Sequence, residues 1–229
     1  MSVNSKHPDY LLFLKNERKT LTFVKNSAYI AGVFPDLATA ASSQLDNFPR
    51  DKFLQKMDYD FSAAFAIEVE GAERTILVET ILRPGFSQLS YAVSMCNQTQ
   101  APYSVMRKFH FDYASPHVKT NAPKPIYHIQ YGGEATPGLQ KIEAGVDSLL
   151  PWLSVPRINH CPLNLALTLD MIFCEFRCEA TNGLTETHEW RNFIKENEDF
   201  MLVEYYKNFS AFLNHHSSKY LIRDFCYGK

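Results

Sequence analysis

At 229 residues, with 45% hydrophobic and 14% aromatic content, the chain is long enough to bury a core without disulfides, as one large domain or two small ones. A formal net charge of −2 supplies no general basic field for nucleic acid, though it leaves room for a local patch. There is no apolar run of about 18 residues and no leader-like start, so the expectation is a cytoplasmic protein without a membrane span.

Between residues 8 and 30, Tyr10, Leu11, Leu14, Leu21, Val24 and Ala28 recur at helical spacing and predict an amphipathic helix. Pro35 ends it or opens the next element, and residues 36–57 predict one or two short helices broken near Pro49. Residues 61–82 carry two signals. Phe61, Ala63, Phe65, Ile67 and Val69 alternate as a strand does, as do Ile76, Val78, Thr80 and Leu82. Glu70/Arg74 and Glu79/Arg83 have helix spacing instead. The β-branched residues and the turn at Glu70-Gly71-Ala72 favour two strands. A turn at Pro84-Gly85 then leads into a strand through Leu89, Tyr91 and Val93.

Two further segments, Arg107–Tyr113 and Pro125–Tyr131, alternate polar with aromatic or branched residues and predict half-buried strands. On the first, Phe109, Phe111 and Tyr113 share one face, and His110 and Asp112 the other. On the second, Tyr127, Ile129 and Tyr131 oppose His128 and Gln130. If the apolar faces coincide, His110, Asp112, His128 and Gln130 meet on the opposite surface; a slip of one residue would scatter them. The proline-containing loop 114–124 holds His117, and a second Gly/Pro-rich loop runs from 132 to 145. Val155 to Asn159 reads as short and extended.

From Pro162 the pattern changes. Leu163 to Phe176 is apolar almost all round and predicts a buried helix with Pro162 in its first turn, closed at Thr181-Asn182-Gly183. Thr185 is the expected cap of a longer amphipathic helix through Trp190, Phe193 and Phe200, and residues 208–225 are expected to remain helical. The whole predicts one α+β domain: a helical part at 1–58, an antiparallel sheet at 59–160 and a helical part at 161–229.

The candidate chemistry centres on His110, Asp112, His128 and Gln130. Two imidazoles and a carboxylate can bind a divalent metal, or a histidine held by Asp112 can act as a general base. The group can equally be a hydrogen-bonding platform, or solvated residues on the open side of a sheet. Arg157 can bring a guanidinium fork to the same surface, or form a salt bridge with a carboxylate. Arg107 and Lys108 would complete a small basic edge able, with tyrosines, to hold a single strand of nucleic acid. His117 can swing over the site or remain an ordinary loop histidine. Asp170, among apolar neighbours, calls for a partner such as Arg157 or a histidine, and His215-His216 reads as a solvated helix face. Five cysteines at irregular spacing (96, 161, 174, 178 and 226) argue against a disulfide scaffold. Cys174 and Cys178, one helical turn apart, could begin a metal site but read better as buried core thiols. No dinucleotide fingerprint, P-loop, zincin or nucleophile-elbow pattern occurs, and the sequence leaves cofactor and metal content open.

The order His-Phe-Asp-Tyr (110–113), a loop with His117, Tyr-His-Ile-Gln (127–130), and Pro-Arg-Ile (156–158) before a leucine-rich helix resembles a loose group of uncharacterised bacterial proteins. Some of these look like toxin–antitoxin components, and others sit beside mobile-element or phage-defence genes. The resemblance covers about residues 107–176. It departs at Asn159-His160, where the group has proline, and at Gln130, where it can have a second histidine. It implies a setting, a bacterial defence or toxin–antitoxin-like module; with the polar strand face it leads to the expectation of an accessory protein that contacts a partner encoded nearby or a nucleic acid. A small nuclease using His110 or His128 with Asp112 and Arg157 is the alternative, and self-association through the C-terminal helices is a third expectation.

Overall fold

The computed structural model describes residues 10–26, 59–69, 72–83, 88–96, 104–114, 126–131, 140–141 and 157–215. The predicted helices at 36–57 and the loop that holds His117 lie outside them. The described chain is α+β, as its patterning predicts.

Helix α1 spans Tyr10–Asn26. Strands β1 (Tyr59–Val69) and β2 (Ala72–Leu82) form an antiparallel hairpin in full register, Tyr59 opposite Leu82 and Val69 opposite Ala72. The strand reading of 61–82 therefore prevails over the helix-spaced charge pairs. Strands β3 (Gln88–Cys96), β4 (Ser104–Ala114) and β5 (Tyr127–Tyr131) extend the sheet antiparallel. The two-residue β6 (Gln140–Lys141) runs parallel to the start of β4, a small departure from an all-antiparallel sheet. Strand β7 (Arg157–Asn159) pairs antiparallel with β5 and ends the order β1-β2-β3-β4-β5-β7.

Strand pairing generates rows of side chains because directly opposed residues share a face. One row runs Thr80, Tyr91, Phe111, Ile129. It belongs to the core, where Tyr91 and Phe111 pack with Val78, Val93 and Tyr113 against Phe13, Leu14, Leu165, Leu169, Phe173 and Trp190 from the helices. The aromatic half of the β4 alternation is thus the face that the helices cover.

The helices after β7 divide differently from their sequence pattern. Helix α2 spans Leu165–Glu175, with Asn164 as its N-cap: Asn164 Oδ1 accepts the Leu167 N–H at 3.0 Å. Pro162 consequently precedes the helix instead of occupying its first turn. Thr181-Asn182-Gly183, expected as a terminator, lies inside the short helix α3 (Glu179–Thr185). Thr181 Oγ1 accepts the Cys178 N–H at 2.8 Å, so this threonine starts a helix and does not close one. The next cap is Thr187, whose Oγ1 accepts the Trp190 N–H at 3.2 Å at the head of α4 (His188–Met201); Thr185 stays in the preceding helix. Helix α5 covers Val203–His215, and residues 216–225 of the expected extension, including His216, are not described. His215 ends α5.

Trp190 organises the helical layer. Its ring meets Phe23 at 5.4 Å and Phe173 at 5.9 Å between centroids, and its Nε1–H donates to Asp170 Oδ1 at 2.6 Å. The expected partner of Asp170 was an arginine or a histidine. An indole N–H satisfies the half-buried carboxylate instead, because Asp170 faces α4 and not the sheet. Burial raises the Asp170 pKa and the indole hydrogen bond opposes that rise.

Candidate functional site: a polar row across three strands

Each candidate on β4 and β5 meets its counterpart directly across the ladder: His110 opposes Gln130, and Asp112 opposes His128. The pairing continues outward to Arg157, opposite Gln130, and Asn159, opposite His128. It continues inward to Ala92, opposite His110, and Ser90, opposite Asp112. Two adjacent rows result on the face away from the helices. One reads Glu79, Ala92, His110, Gln130, Arg157, and the other Ile81, Ser90, Asp112, His128, Asn159.

Within the second row the side chains interact. Ser90 Oγ donates to Asp112 Oδ1 at 2.5 Å, and Asp112 Oδ2 lies 3.6 Å from His128 Nε2. The carboxylate therefore stands between a hydroxyl and an imidazole, one oxygen turned to each. This order differs from a nucleophilic triad, in which the imidazole stands between and takes the hydroxyl proton. Here the serine points at the carboxylate, so nothing in the row activates Ser90. What the row can do is hold the His128 ring by its Nε2 and anchor the Asp112 carboxylate.

Exposure separates the members. The side chains of His128 and Asp112 are 2% and 25% accessible, so Asp112 is the part of the pair open to a partner. His110, Gln130 and Lys108 are half-buried and Arg107 is exposed. Ser90 and Ser94 on the same face of β3 are buried. The centre of this face is accordingly not the open, solvated sheet surface that the sequence allowed. A small crevice reaches Asp112 and His128 from the core side, lined mainly by Leu89, Tyr91, Phe111, Tyr113, Tyr127 and Leu163. Its volume of about 10 Å³ is room for one water and no substrate.

The basic edge expected from Arg107, Lys108 and Arg157 is divided. Strand alternation places Lys108 with His110 on the polar face and Arg107 with Phe109 on the other. Arg157 pairs with Gln130 in the β5–β7 ladder. His160, just beyond β7, turns toward the core side: its ring meets Phe111 at 5.6 Å, and its Nδ1 is 2.7 Å from the Cys161 carbonyl. Tyr127 packs against Tyr113 and Tyr205, and burial with these two phenols raises its pKa.

The cysteine expectations are corrected in part. Cys174 is exposed and Cys178 half-buried, and neither is in a disulfide: Cys174 lies on the outer side of the last turn of α2, after the buried Ile172 and Phe173, and Cys178 lies beyond the helix end. Among the described residues no three His, Cys, Asp or Glu side chains cluster as metal ligands. Among them, too, no helix is long and apolar enough to cross a membrane.

Ser90 is the member of the row that the sequence reading missed. Its signal was present: Ser90 and Ser94 alternate with Leu89, Tyr91 and Val93, which marks a polar face on β3. The comparisons add no second source: no family model, no curated protein and no solved structure matches this chain.

Proposed function

We propose that this chain is a binding module, an accessory protein of a bacterial defence or toxin–antitoxin-like system, that engages a partner macromolecule through the polar face of β4, β5 and β7. The observation that carries the reading is the double row itself. Gln130 and Asp112 offer donors and acceptors on neighbouring strands with half-buried His110 between them, and Ser90 and His128 hold the Asp112 carboxylate. The crevice that reaches Asp112 and His128 has a volume of about 10 Å³, too small for a substrate, which favours contact over turnover. The bacterial setting rests on the sequence resemblance alone. A pull-down with neighbouring gene products, RNA and DNA tests the proposal. Capture of one of them, lost in a His110→Ala/Gln130→Ala variant that still folds, is the expected result. A lone monomer that binds none of the three contradicts it.

A phosphodiester hydrolase is the second reading, favoured by one observation: Asp112 lies against an imidazole, the arrangement that orients a general base. His110 or His128 would then transfer the proton, with Asp112 orienting His128, and Arg157, opposite Gln130 in the ladder, is the residue expected to offset charge in the transition state. His110→Ala and His128→Ala variants that retain full biological effect would exclude it. Self-association through the C-terminal helices draws support from Val203, Tyr206 and Leu213, apolar side chains exposed along α5.

A further inference from the structure

Glu17 belongs to the buried stripe of α1, at zero exposure among Phe13, Leu14, Thr20, Leu21 and Val24. Its Oε1 accepts the backbone N–H of Leu165, the first residue of α2, at 2.9 Å. The carboxyl thus supplements Asn164 at a helix N-terminus, where unpaired amides and the helix dipole favour an acceptor. From the sheet, the Tyr91 hydroxyl stands beside it and favours the anion, yet no hydrogen bond of good geometry reaches Oε2. The other fully buried polar groups of this layer are neutral, and its remaining carboxyl, half-buried Asp170, accepts from Trp190. Asn164 Nδ2 donates to Asn197 Oδ1 at 2.6 Å, Asn197 Nδ2 donates to the Phe193 carbonyl at 2.7 Å, and Thr20 donates to the Asn16 carbonyl at 2.7 Å. Thr168 of α2 is buried as well. The Lys19–Glu196 pair, which also ties α1 to α4, lies in solvent. Among the described residues no cation pairs with Glu17.

We propose that Glu17 is a proton-dependent latch: as a neutral acid it holds α1 against the first turn of α2 and β3, and its ionisation loosens that contact.

Full burial raises the carboxyl from 4.5 to about 8, against the smaller opposing effects of the Leu165 N–H and Tyr91. The sign follows from proton counting. Between pH 4.5 and about 8 the folded chain keeps on Glu17 a proton that the unfolded chain releases, so the contribution of Glu17 to stability is fully present below 4.5 and is lost as pH rises to 8. Asp170 adds a slope of the same sign, since burial raises it too. A substitution at Glu17 is therefore needed to separate the two.

Thermal unfolding midpoints of the wild-type chain and Glu17→Gln, taken from pH 5 to 9, test the latch. The amide keeps the acceptor for Leu165 and cannot ionise. The wild-type midpoint should fall by roughly 10 °C across this range and the variant's by much less. Parallel curves overturn the proposal. Tyr91→Phe gives a second reading that survives a folding failure of the first variant. Loss of the hydroxyl that favours the anion should move the wild-type fall to higher pH, and an unmoved or lowered transition overturns the proposal. Hydrogen exchange places the effect: corrected for intrinsic rates, protection of residues 10–26 should drop about tenfold between pH 7 and 9 relative to α4. Equal protection of the two helices at both pH values overturns it.

Discussion

Phe111 and Asp112 are neighbours on β4, yet they answer to different physics. Phe111 joins an aromatic and aliphatic core shared by the sheet and the helices, where many contacts overlap and burial is non-directional. Asp112 depends on two directed partners, Ser90 on one side and His128 on the other. The apolar face can be assembled from any good hydrophobic pattern. The polar face exists only in one strand register, because a slip of one residue would exchange the two faces. Stability should therefore reside mainly in the first face and partner recognition in the second.

Truncation of the core side measures the larger half of this contrast. Phe111→Ala should cost about 3–5 kcal/mol, read from denaturant unfolding, and should weaken any binding only through loss of folded protein. On the polar side, Asp112→Ala leaves the buried Ser90 hydroxyl and His128 ring without their carboxylate and should cost about 1–3 kcal/mol in the same measurement. An Asp112→Ala effect equal to that of Phe111→Ala would mean that the row is part of the core in energetic terms. Thr187→Ala, which removes the α4 cap, should cost about 1 kcal/mol and leave the polar face unaffected. Lys19→Ala, at an exposed pair, should change stability by only about 0.2–1 kcal/mol, less at high salt.

How far these features could be read from sequence follows from the range of the interactions that set them. Alternation in β4 and β5 and β-branching in β1 and β2 are local, so the strands and their two faces were legible. The opposition of Asp112 to His128 was legible only as a condition on register. Ser90 lies 22 residues from Asp112, and no local pattern joins them. The helix starts misled for a different reason. Pro162, Asn164, Thr181, Thr185 and Thr187 are all good terminal residues, and tertiary packing chose among them: Asn164 is held in place by Asn197 across 33 residues. Glu17 was within reach. It interrupts the apolar stripe between Leu14 and Leu21 at spacings of three and four, which places a carboxyl on the buried face. The Asp170 partner was out of reach, since an indole N–H offers no charge to match against a carboxylate.

The division of labour between the faces is most directly tested by the affinity of a captured partner for the His110→Ala/Gln130→Ala variant, with its unfolding free energy measured alongside. The expected result is at least a tenfold loss of binding with a destabilisation of no more than about 3 kcal/mol, so that the variant stays folded. Unchanged affinity in a stably folded variant would contradict it and remove the polar rows of β4 and β5 as the recognition surface.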